Sequence, residues 1–90
     1  MKIDVYDSYA QRRDGGTMHF DVFVESNTPA EQALAYGRQW LESIGESAAG
    51  LQQSRCNFCH SEIANPEIQN AVHNQGYFIL QMEGCPSPIH

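Results

Sequence analysis

Ninety residues make one domain, because chains divide into several cores only at about 250–300 residues. Five basic against eleven acidic residues leave a formal net charge of −6, and beyond Arg38 the sole Lys or Arg is Arg55. No basic stripe can be assembled from so few cations, which excludes nucleic acid and anionic membrane as expected partners and leaves a protein or a small molecule.

The chain opens on Met1-Lys2-Ile3-Asp4-Val5-Tyr6-Asp7, where Ile3 and Val5 alternate with polar neighbours, and a strand is expected over 2–6. That opening carries no apolar leader core, and no apolar run approaches the ~20 residues of a membrane span. A cytoplasmic location with reduced thiols is therefore expected. Asp14-Gly15-Gly16 supplies turn residues, and a second strand is expected over 18–25, the two pairing as an antiparallel hairpin with a long loop. Met18, Phe20, Val22 and Val24 share one face of this strand, and His19, Asp21, Phe23 and Glu25 the other.

Thr28-Pro29-Ala30-Glu31 has the form of a capping box with proline at the first helical position. Ala30, Ala33, Leu34, Gly37, Trp40, Leu41 and Ile44 follow at helical spacing, so a helix is expected over 29–44 with Gly45 as its left-handed stop. A polar strand over 51–57, carrying Gln52, Gln53, Ser54 and Arg55, reads as an edge. Asn65-Pro66-Glu67 repeats the cap-then-proline signal, Ile68, Ala71 and Val72 share one side, and Gly76 ends a helix over 66–75. Tyr77 to Met82 is a concentrated run of β-formers and reads as a final strand. The fold class expected is α+β, one two-layer domain over 1–85 in the order β-β-α-β-α-β. Two helices cover one face of a mainly antiparallel mixed sheet, and 86–90 form an irregular tail.

The residues with chemistry centre on Cys56-Asn57-Phe58-Cys59-His60. Two thiolates three positions apart can turn toward one soft ion, so Cys56 and Cys59, with Cys85 third and His60 fourth, form a candidate structural zinc site; His19 or His73 can replace His60. Three other readings compete. A C-x-x-C pair can do thiol redox chemistry, although here no helix follows it directly. The C-x-x-C-H string matches covalent haem attachment, which normally requires export. Buried cysteines flanking Phe58 can also simply fill a core.

On the second strand, His19 and Asp21 lie two apart on one face, an arrangement suited to a histidine oriented by a carboxylate, with Asp4 and Tyr6 as expected companions from the first strand. The plain reading of that face is solvated polar surface. The function expected is a non-enzymatic binding or interaction module holding a structural zinc. The alternative is a small enzyme or thiol-redox protein using Cys56, Cys59 and His60.

The chain resembles a family of small bacterial proteins described as domain of unknown function 2024. The likeness rests on Met1 to Asp7, Asp14-Gly15 with Thr17 to Val22, Leu41 to Gly45, Cys56-x-Phe58-Cys59-His60-Ser61-Glu62, Gly76-Tyr77-Phe78, and Met82 to Cys85. It implies a compact α+β fold and no particular activity. The family pattern includes the residues matching Cys56, Cys59, His60 and Cys85.

Overall fold

A computed structural model of the chain describes residues 2–56 and 65–86, with Cys56 by its backbone alone. Four strands and two helices follow one another as β1 (Ile3–Gln11), β2 (Thr17–Glu25), α1 (Ala30–Ser43), β3 (Gln52–Cys56), α2 (Pro66–Gln75) and β4 (Tyr77–Gln81). The class is α+β and the element order is the one expected. The four strands pair antiparallel in the order β3-β1-β2-β4, so among the described residues the sheet holds no parallel pair.

The first strand is longer than its apolar residues suggested. β1 matches β2 residue for residue from Ile3↔Glu25 to Gln11↔Thr17, and the connection shrinks to a tight turn closed by Arg12 N–H donating to the Gly16 carbonyl at 2.6 Å. Asp7, Ser8, Tyr9 and Gln11 hide the strand from a hydropathy reading, yet a nine-residue partner gives each of them a ladder position.

The helices lie on opposite faces, which corrects the expectation of two layers with both helices on one side. Met18, Phe20, Val22 and Val24 of β2 pack with Tyr6, Ala33 and Leu41, so α1 covers that face. Phe23 packs with Ile3, Val5, Ile68 and Val72, so α2 covers the other. The reason is β2 itself. It is a central strand, Phe23 is as fully buried as Phe20 on the opposite side, and one apolar layer is needed for each. Aromatic contacts complete both layers, Phe20 with Trp40 on the α1 side and Phe23 edge-on to Phe78 on the α2 side.

The helix ends divide between agreement and correction. At α2, the Asn65 side chain accepts from the Glu67 N–H at 2.9 Å, Pro66 opens the first turn, and Gly76 closes the helix at φ 96°. Gly45, at φ 78°, ends α1 with Glu46 N–H donating to the Leu41 carbonyl and Gly45 N–H to that of Glu42, the paired bonds of a Schellman motif. The capping box does not form. Pro29 occupies the N-cap position with no side-chain cap, because the Thr28 hydroxyl donates backward to the Glu25 carbonyl at 2.6 Å. No helix among the described residues is long and apolar enough to cross a membrane.

Candidate functional site

Three polar side chains meet on the α2 face of the sheet. The ladder sets Asp7 directly opposite Asp21, and Tyr9 directly opposite His19, so strict alternation places all four on one side. Ser54 and Leu80 extend the Asp7–Asp21 row to both outer strands. Along this face α2 packs on Ile3, Val5 and Phe23, and the polar trio occupies the adjoining stretch of β1 and β2.

His19 Nε2 lies 3.6 Å from Asp7 Oδ1 and 3.9 Å from Asp21 Oδ1. Each residue offers one ligand atom, and the three atoms all fall within 4.8 Å of one another. Asp21 forms the floor with 6% of its side chain exposed, whereas Asp7 and His19 form the rim at 30% and 28%. The Nε2 atom itself is closed off from solvent, with no hydrogen-bond partner among the described residues. The imidazole is stacked on the Tyr9 ring, centroids 4.4 Å apart and planes 6° from parallel, which limits its rotation.

The backbone beneath His19 is equally well tied. Its N–H donates to the Glu83 carbonyl at 2.8 Å, and its carbonyl accepts from Met82 N–H at 3.0 Å and from the Cys85 thiol at 3.3 Å. Gly84 makes this turn feasible at φ 81°, since a Cβ there would collide with the Thr17 carbonyl. Burial pushes the Cys85 thiol up from its ordinary range, outweighing its bond to the Met82 backbone and the charge of Arg12, so Cys85 stays protonated and serves as a donor.

The sequence-derived sulfur set is described only in part. Cys85 is buried against the α1-side core just past β4, on the His19 carbonyl. The backbone of Cys56, on β3 at the opposite edge of the sheet, pairs with Val5 of β1. The Cys56 side chain, Cys59 and His60 lie outside the described residues. His73 is exposed in the last turn of α2.

His19 and Asp21 are neighbours, as their spacing indicated, but the companions named for them are corrected. Tyr6 packs in the α1-side core, and Asp4, in phase with it, accepts from Ser26 and Arg55. The companion is Asp7. It is in phase with Ile3 and Val5, and only a strand continuing past residue 6 could have revealed it.

Fold and site together define a small α+β domain, with helices on both faces of an antiparallel sheet and an Asp–His–Asp cluster beside one helix. The chain belongs to the family whose model is described as domain of unknown function (DUF2024), which it matches over residues 1–82. No curated protein and no solved structure matches it.

Proposed function

We propose that this protein is a non-enzymatic binding module that holds a divalent transition-metal ion between Asp7, His19 and Asp21. The carrying observation is the shielded His19 Nε2 aimed between two carboxylates that face each other across the ladder. Like charges directly opposite on adjacent strands repel, and a cation between them removes the penalty. One imidazole and two carboxylates suit a borderline ion such as Zn²⁺ or Mn²⁺. Bonds of about 2.0–2.2 Å set ligand atoms about 3–3.5 Å apart. The His19 Nε2 distances of 3.6 and 3.9 Å are close to that range, and the three atoms, all within 4.8 Å of one another, have to draw together around the ion. Stacking on Tyr9 and the backbone ties beneath His19 hold the imidazole ready, and three protein ligands leave further coordination positions for an outside group.

Isothermal titration of the chelator-treated protein with Zn²⁺ and with Mn²⁺ tests this. One equivalent is expected to bind and to raise the melting temperature, and Asp21→Asn to abolish both effects. Tight binding that survives Asp21→Asn and His19→Ala would sink the proposal. In that case a ligand set other than Asp7, His19 and Asp21 takes its place.

A further inference from the structure

β3 is the edge of the sheet on the β1 side, and no described strand pairs with its outer side. A depression flanks it on each face. On the α1 side a groove of about 640 Å³ is lined by Tyr6, Leu34, Leu51, Gln53 and Arg55, among others. On the α2 side one of about 260 Å³ is lined by Asp7, Tyr9, Gln52, Gln53 and Ser54. Edge strands are usually guarded by a protruding charge, a proline or a bulge. Here the one charged residue of β3, Arg55, stays 59% exposed but is ion-paired with Asp4 of β1 at 3.2 Å, near the end of the strand, and β3 contains no proline.

From this arrangement we infer that β3 accepts an extended peptide as a fifth strand, and that the peptide alternates apolar with basic residues. A strand added to an edge gains main-chain hydrogen bonds, and its side chains fall alternately on the two faces. Those on the α1 side meet Leu34, Leu51 and the Tyr6 ring, which recognise an apolar side chain, in a groove that Glu31 and Arg55 also line. Those on the α2 side meet Gln52, Ser54 and Asp7. Among the described residues no Lys or Arg lines that groove, Asp7 does, and the chain as a whole carries −6, so a lysine or arginine is the complementary residue. A second copy of this chain is a poorer occupant, since its own β3 would bring Gln52, Ser54 and Arg55 rather than an apolar–basic alternation.

The test uses two labelled peptides of about eight residues with one composition, one alternating valine or leucine with lysine and the other with the same residues shuffled into blocks. Binding is followed by fluorescence anisotropy with a chelator present, so the result does not depend on whether Asp7, His19 and Asp21 hold an ion. The alternating peptide is expected to bind at least about tenfold tighter than the shuffled one. It should also slow hydrogen exchange at the amides of Gln52–Cys56. Leu34→Glu, with its melting temperature checked, should weaken binding by about tenfold. Equal binding of the two peptides, protection elsewhere, no binding, or a chain that sediments as a dimer through its own β3 would each overturn the inference.

Discussion

Asp7 stands directly opposite Asp21 across the β1–β2 ladder, on the face that also carries His19. Side chains so paired have Cβ atoms about 4.5–5.5 Å apart, close enough for two carboxylates to oppose each other at a cost of about 0.2–1 kcal/mol. The cation-dependence of this pair sets the first expectation. In chelator, Asp7→Asn should leave stability unchanged or raise it by a few tenths of a kcal/mol. In saturating Zn²⁺ the same variant should lose the metal-dependent rise in melting temperature that the parent shows. Denaturation curves with and without the ion provide both numbers.

Cys85 separates the two metal readings. Cys85→Ser keeps a donor for the His19 carbonyl, so if Asp7, His19 and Asp21 hold the ion, zinc affinity should change by no more than about twofold. A loss well beyond the about 10–100-fold typical of a supporting partner would place Cys85 itself among the ligands. Competition with a chromogenic chelator measures the difference directly.

The same thiol makes stability depend on alkali. Its folded value is raised by burial, so the unfolded chain releases the proton first as pH climbs. The contribution is intact below about pH 8.5, where unfolded thiols begin to ionise, and it is lost progressively as pH rises through the higher folded value. Urea unfolding at successive pH values should show the parent losing stability above that point faster than Cys85→Ala. Identical slopes would mean the thiol ionises as readily folded as unfolded.

Gly84 and Gly45 share a left-handed backbone but differ in surroundings. A Cβ at Gly45 meets nothing within 4 Å, whereas one at Gly84 meets the Thr17 carbonyl. Gly45→Ala should therefore cost only the conformational penalty of about 1–2 kcal/mol. Gly84→Ala should cost distinctly more, and it should also disturb His19, whose backbone is bonded to Met82 and Glu83 in the same turn. Thermal melts rank the pair, and zinc titration of Gly84→Ala reads the second effect.

Phe23 tests the three-layer arrangement. It is fully buried against Val5, Ile68 and Val72, so Phe23→Ala should cost about 3–5 kcal/mol, as for a core phenylalanine. Tyr9, 45% exposed and on the same sheet face, should tolerate alanine with far less loss of stability, while the freed His19 ring binds metal more weakly. A small effect at Phe23 would mean that α2 does not cover that face.

Local chemistry was enough to place both helices and their glycine stops, although the capping box expected for α1 does not form, because a proline near the first turn, a positive-φ residue and, at α2, the Asn65 cap act within a few residues of themselves. The alternation of β2 was equally legible, and with it the nearness of His19 to Asp21. Three things required the tertiary structure. The length of β1 came from its partner, since Asp7 to Gln11 carry only Ala10 and Tyr9 as a weak apolar signal and gain their place by pairing with Thr17 to Asp21. The division of the helices between two faces came from β2 being central, where Phe23 needs a cover as much as Phe20 does. Asp7 joined His19 and Asp21 through register, which depends on two strands at once: a shift of one residue would send its side chain to the opposite face.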